Sequence, residues 1–365
     1  MTNPSSLRLT FVCPSMVVGG AERHWRLLVP ALRDLGFTVH LLLLDRGGPW
    51  ADELVELGIP VTVLSGRLSL ARAVWAARRQ SPDLLVTRGP SAHLVGFLAQ
   101  LGSSRKWVVN WHRNVLQIRP RARLLLRAIL RTSNLVVAVH EAQRELLSDR
   151  LQVAEGRIAV IANGVPSNCD APLDRRDLGL TDTDVVVILV AALRPEKRPD
   201  VFVRALALAQ ARQPRLRGLL VGDGPERAQA EALAVELGAP VAFLGQRSDV
   251  PALLRTSDIF CLTSDTEAAP MAILEALAAG LPVVATDVGG IAELLGSAGS
   301  GFVVPAGDHA AIAEHLLALA GDEAQRRTLG ERAARHHAAT HTVEHMAREY
   351  GRAFQSLFVD GKETP

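Results

Sequence analysis

Cysteine is scarce in this chain: three in 365 residues, and Cys13, Cys169 and Cys261 stand far apart with no paired spacing. That pattern excludes a disulfide framework and a cysteine-based zinc site, and it points to a reducing compartment. Aromatic residues make up only 4% of the chain. They do not interleave with basic residues, and no zinc or RNA-binding signature is present, which argues against a nucleic-acid partner. Long apolar runs are missing too. The longest, residues 185–193, is far too short to cross a bilayer. The N-terminus lacks a charged segment followed by an apolar one, and residues 7–12 read as a first strand instead. A cytoplasmic protein is the expectation.

What is present is a full core and an uneven charge. Hydrophobic residues are 48% and charged residues 21%, ordinary for a globular chain. The length suits two domains at roughly 150 residues each. Net charge is only +2, yet residues 1–165 hold 21 Lys and Arg against 11 Asp and Glu, a balance of +10, and the remainder balances at −8. A basic front half suggests an anionic partner, with a membrane surface or a phosphate-bearing acceptor favoured.

Apolar runs alternate with helical patterns through both halves. The first half predicts strands near 9–13, 38–44, 61–64, 84–87, 107–111 and 135–139, with helices at 21–35, 70–80, 92–101 and 121–131 between them. A connector rich in Pro, Asp and Asn follows Asn163-Gly164-Val165-Pro166, and the alternation restarts with strands at 185–190, 217–221, 241–244, 259–262, 283–285 and 302–304. Strands that are apolar throughout, separated by helices, predict parallel sheets covered on both faces. The expected organisation is α/β, with two doubly wound domains at 1–168 and 169–342 facing a cleft. A last helix at 343–365 is expected to cross back to the first domain. Ligands in such sheets bind at the carboxyl ends of the strands.

The candidate residues lie at those ends. Ser264-Asp265-Thr266-Glu267 follows an apolar run, and a helix opens at Pro270-Met271, so Glu267 and Glu275 bracket a helix N-terminus approached through Ala268 and Ala269. Free N–H groups there suit a diphosphate, with a carboxylate for hydroxyls on either side of it. The plain alternative is a capping Glu and a surface Glu. Arg194 and Lys197, on the loop after 185–190, are two cations able to clamp a departing diphosphate. Gly222 and Gly224 mark another strand-end turn, read either as room for a ligand or as a simple turn. Gly19 and Gly20, after the first strand, allow close backbone approach to a ligand or simply turn the chain. The next glycine of a dinucleotide fingerprint is absent, which argues against an oxidoreductase. His112 and Arg113 follow the fifth strand, where a histidine could meet a sugar hydroxyl or be an ordinary surface residue.

Arg119, Arg123, Arg127 and Arg131 recur every four residues with no acidic residue in the segment, so they are expected to share one helix face. Such a face suits an anionic membrane, at about 1 kcal/mol per basic residue, or it is a solvated outer helix. Two other groups are weighed and set aside as metal sites. Asp182-Thr183-Asp184 precedes a strand and reads as solvated linker. His337, His341 and His345 read as helical surface.

In this order and spacing, Gly19-Gly20-Ala21-Glu22, His112, Asn163-Gly164-Val165, Arg194 with Lys197, Gly222-Asp223-Gly224-Pro225, Glu267 with Glu275, and Gly289-Gly290-Ile291-Ala292-Glu293 resemble the retaining glycosyltransferases of family 4 over nearly the whole chain. The resemblance implies the GT-B fold, two Rossmann-like domains with the acceptor on the first and an NDP-sugar, UDP-sugar favoured, on the second. It implies that Glu275 meets the ribose hydroxyls, Arg194 and Lys197 the diphosphate, Glu267 the donor sugar and His112 a point beside that sugar. It also brings the Gly19-Gly20 loop near the phosphates. Two departures stand out. Ala268 occupies the place where the family usually has Gly, which bears on donor choice, and His140 stands where it commonly has Ser.

The function this implies is sugar transfer with retention, needing no divalent metal or other cofactor, to a glycan or lipid-linked acceptor of cell-surface polysaccharide synthesis. The enzyme would work in the cytoplasm, peripherally on the inner face of the membrane. The alternatives are a sugar-nucleotide epimerase of the same architecture and a non-catalytic sugar-nucleotide-binding protein.

Overall fold

The structure, a computed structural model, describes residues 7–17, 20–64, 70–112, 120–167, 170–267 and 270–359. The chain divides into two compact units, Met1–Gly164 with Val343–Pro365, and Val165–Thr342.

The first unit is built on a parallel sheet of β1 (Arg8–Cys13), β2 (Thr38–Leu43), β3 (Val61–Val63), β4 (Leu84–Thr87), β5 (Lys106–Asn110), β6 (Leu135–Ala138) and β7 (Ile158–Val160). The strand order is β3-β2-β1-β4-β5-β6-β7. The edge strand β7 is absent from the sequence-based expectation, although residues 158–162 are an apolar run. Strands such as β4 and β6 are buried along their whole length, as sheets covered on both faces require.

One face of this sheet packs Trp25, Leu28 and Leu32 of the helix Gly20–Asp34, together with Met346, Tyr350 and Phe354 of the last helix, Val343–Ser356. The other face packs small residues of the helices Leu70–Arg79 and Pro90–Gln100, then Ile129 and Leu130 of Pro120–Leu130, and Leu147 and Leu151 of Glu141–Leu151.

The second unit repeats the plan with β8 (Val185–Val190), β9 (Leu216–Val221), β10 (Val241–Gly245), β11 (Ile259–Leu262), β12 (Val283–Thr286) and β13 (Gly301–Val304), in the order β10-β9-β8-β11-β12-β13. In both sheets the order reverses beside the first strand, between β1 and β4 and between β8 and β11. Connections leave in opposite directions there, and a crevice opens at the carboxyl ends.

Two sequence-based readings change, and His140 gains a role. Asp184 is not solvated: it is buried, accepts from the Thr181 backbone N–H at 2.7 Å and pairs with Arg217 at 3.5 Å, anchoring the start of β8. His337 and His341 are not helical surface. The helix Glu323–Thr340 ends before His341, so the histidines do not continue one face, and the buried His337 Nε2 lies 3.1 Å from the Val165 carbonyl. His140 caps the helix Glu141–Leu151, its Nδ1 accepting from the Gln143 N–H at 3.2 Å, a role the usual Ser would also fill.

Candidate active site

In the second unit the loops after β8 and β11 meet at the crevice. Their backbones are stapled first. Asp265 N–H donates to the Glu196 carbonyl at 2.8 Å, and the Thr263 hydroxyl reaches the carbonyls of Lys197 and Arg198 at 3.0 and 2.9 Å. Arg198 adds ion pairs to Asp200 at 3.0 Å and to Asp265 at 3.2 Å. Hydrogen bonding and charge from these carboxylates, Asp200 before Asp265, raise its pKa above the ordinary arginine range.

On that frame Lys197 and Glu267 join directly, Nζ to Oε1 at 2.6 Å. The same carboxylate oxygen accepts from the fully buried Ser264 hydroxyl at 2.7 Å, and the Ser264 carbonyl accepts from Thr286 Oγ1 at 2.6 Å. Gly289, at φ +63°, lies so close that a Cβ would fall 2.3 Å from the Glu267 carbonyl oxygen. Glu267 is therefore held by side chain and backbone at once.

Arg194, on the same loop as Lys197, is exposed. The helix Met271–Ala278 starts behind Pro270, which as its N-cap makes no side-chain hydrogen bond; helix starts of this kind present N–H groups that suit an anion. Glu275 lies within this helix, 8% exposed. Ala268 and Ala269 lie outside the described residues.

Gly222 has a structural reason to be glycine. At φ +134° its missing Cβ would stand 1.8 Å from the Ala191 carbonyl oxygen, so the β8 and β9 loops pack backbone to backbone. Two of the predicted residues thus touch, Lys197 and Glu267. Ser264 and Gly289 lie in stretches singled out from the sequence but were given no role there. Thr263 and Thr286 were missed; their only sequence signal is a hydroxyl residue at a strand end, which strands commonly have.

The first unit also gathers polar groups at its crevice. Gly20 opens the helix after β1, whereas Gly19 lies outside the described residues, as do Arg113 and Arg119. His112, half-buried after β5, has its ring 4.5 Å from that of His24. Burial pushes both histidines down, His24 to about 3, with the nearby Arg88 charge adding to it. His112 is pushed well below its ordinary value by burial, then by His24 and Arg88. Both are neutral at pH 7.

Arg88, at the end of β4, is buried over the Trp25 ring at 4.8 Å and pairs with Glu22 at 3.3 Å. Its Nη1 and His112 Nε2 have no partner among the described residues, so these are atoms a ligand would satisfy. Behind them, Asn110 accepts from Trp25 Nε1 at 3.1 Å and donates to the Tyr350 hydroxyl, tying the last helix to β5. Arg88 was missed because a lone arginine after a strand has no motif around it.

Two family models match in tandem, Glycosyltransferase Family 4 over residues 18–168 and Glycosyl transferases group 1 over residues 170–336. The chain belongs to glycosyltransferase family 4.

This glycosyltransferase is 27% identical to the N-acetyl-alpha-D-glucosaminyl L-malate synthase of Bacillus anthracis over 300 residues, 78% of each chain. It is 31% identical to the D-inositol 3-phosphate glycosyltransferase of Stackebrandtia nassauensis over 258 residues, 65% of this chain and 58% of that one. It therefore spans little more than half the length of the latter. Its fold is GT-B. The structure of HepE from Anabaena in complex with UDP-glucose superposes with a TM-score of 0.82 at 25% identity, over 96% of this glycosyltransferase and all of that chain.

Three arginines of the row in the first unit lie within the described residues. Arg123 and Arg127 are half-buried on the helix Pro120–Leu130, and Arg131 lies beyond its last residue, bonded to Gln152 at 3.1 Å. The most exposed large apolar side chains of that helix are Leu124 and Leu125, at 71% and 61%.

Proposed function

We propose that this glycosyltransferase moves a sugar from an NDP-sugar, UDP-sugar favoured, to an acceptor with retention of anomeric configuration. The acceptor is a lipid-linked glycan of cell-surface polysaccharide synthesis, met at the inner face of the membrane. The observation that carries the reading is the Lys197–Glu267 pair at the crevice of the second unit, in the segment leading to a helix whose N-cap, Pro270, makes no side-chain hydrogen bond. The UDP-glucose complex of HepE supports the choice of donor.

In this reading the diphosphate rests on the N–H groups at Met271 and on Arg194 and Lys197, and Glu275 accepts from the ribose. Glu267 accepts from a donor-sugar hydroxyl, and Gly222 and the Gly19-Gly20 loop allow the chain to lie close to the donor. As the sugar–phosphate bond breaks, its electron pair goes to the diphosphate oxygen, whose growing charge Arg194 and Lys197 stabilise. The acceptor oxygen attacks the anomeric carbon from the same face and passes its proton to that departing oxygen. His112, neutral at pH 7, offers a hydrogen bond beside the sugar. Positioning and electrostatics do the work, and no divalent metal takes part.

Incubating the purified protein with UDP-, GDP- and ADP-sugars, with and without membrane lipid extract, tests this by NDP release, with the product anomer read by NMR. Lipid-dependent NDP release and a retained anomer are expected. Sugar interconversion without NDP release would make it an epimerase, and binding without turnover a non-catalytic protein.

A further inference from the structure

One side of the first unit carries apolar side chains facing water among arginines. The helix Leu70–Arg79 buries Ala73, Ala76 and Ala77 against the sheet. Its opposite side exposes Trp75, at 56%, and the Arg79 guanidinium lies 5.0 Å over the Trp75 ring. The helix Pro120–Leu130, on the same side of the sheet, exposes Leu124 and Leu125 beside the half-buried Arg123 and Arg127. Neither helix contains an acidic residue. Acids return on the next helix, Glu141–Leu151, with Glu141, Glu145 and Asp149, which bounds the surface on that side.

We infer that this face enters the interfacial zone of an anionic bilayer, with Trp75, Leu124 and Leu125 as its apolar anchors and arginines on both helices meeting lipid phosphates. The occupant follows from the pairing of groups. Tryptophan and leucine beside arginine match a surface whose apolar and anionic layers lie a few ångströms apart, and arginine stems reach between the two. The inference rests on the proposed membrane acceptor and changes which residues make the contact. The arginine row alone does not make it; two helices with apolar anchors do.

The test is flotation with vesicles of phosphatidylcholine alone and of phosphatidylcholine with phosphatidylglycerol. The parent is expected to float with the anionic vesicles only, and Trp75 emission to shift to the blue as its ring leaves water. The triple substitution Trp75→Ser, Leu124→Ser, Leu125→Ser changes exposed side chains, so the fold is expected to be retained and lipid binding to fall at least about tenfold. Arg72→Gln with Arg79→Gln is expected to lower binding by about fivefold per arginine.

Indifference to lipid charge, unshifted Trp75 emission, or undiminished binding of the triple variant would overturn the inference. So would sedimentation showing a lipid-free dimer that the triple variant abolishes, since a second copy would then cover the face. NDP release from soluble donor, measured on the same variants, separates this failure from failure of the transferase reading: it stays at the parent rate if only the membrane face is wrong.

Discussion

Lys197 and Glu267 hold one another, Nζ to Oε1 at 2.6 Å, across 70 residues of sequence. In the proposed reaction these same two groups serve the leaving diphosphate and the donor sugar. A bound diphosphate therefore competes with Glu267 for the ammonium. Removing one partner leaves the other charge poorly solvated, because Glu267 is nearly buried.

Two substitutions at this pair are expected to act in opposite directions on nucleotide binding. Lys197→Ala lowers kcat/KM by about two to three orders of magnitude, as loss of a charge contact in the transition state does. Glu267→Gln also lowers turnover, but it frees the ammonium and tightens UDP binding by roughly fivefold, about 1 kcal/mol. Isothermal titration with UDP checks the second effect. Equal affinity of parent and Glu267→Gln would show that Lys197 does not meet the phosphates.

Ser264 bonds the Glu267 carboxylate, and Gly289 packs against the Glu267 backbone carbonyl. Ser264→Ala removes one hydrogen bond to Glu267, worth about 1–2 kcal/mol, so kcat/KM is expected to fall about tenfold while UDP affinity stays at the parent value. Gly289→Ala puts a methyl against the Glu267 carbonyl at positive φ and is expected to cost both activity and a few degrees of Tm. Steady-state rates beside a thermal melt separate the two cases, since only the second variant should melt earlier.

Lowering pH is expected to destabilise the first unit through its buried histidines. His24 is lowered to about 3 in the folded chain, from about 6.5 when unfolded. Below 6.5 the unfolded state therefore binds the extra proton and gains. Stability from this group is full above that value and falls by about 1.4 kcal/mol per pH unit towards the folded value. His112 is lowered in the same direction. Denaturant titrations between pH 7.5 and 5 should show the decline, and a His24→Leu variant that still folds should show a shallower one.

Chelation is expected to leave turnover intact, since arginine, lysine and helix N–H groups are proposed to balance the diphosphate. NDP release measured with and without EDTA checks it. A rate that collapses with EDTA and recovers with magnesium or manganese would reassign the work of Arg194 and Lys197.

Much was determined by local sequence. Apolar runs such as Val185–Val190 announce buried parallel strands because both faces of each strand must avoid water. Strand-end glycines and charges then mark where ligands can approach. The order of those marks was enough to place the chain in its family. Local pattern also misled where burial is set by distant segments: Asp184 and His337 look polar and superficial, yet each is enclosed by residues from elsewhere in its unit.

Only the tertiary structure decided how Glu267 is held. Lys197 and Ser264 bond the Glu267 carboxylate, while Thr286 holds the Ser264 carbonyl and Gly289 packs on the Glu267 backbone; they meet because β8, β11 and β12 lie side by side, and no spacing in the chain encodes that meeting. It also decided which side of each surface helix faces water. Regular spacing can suggest which residues share a helix face, but the rotation of that helix is set by what it buries, and here burial leaves Leu124, Leu125 and Trp75 outside.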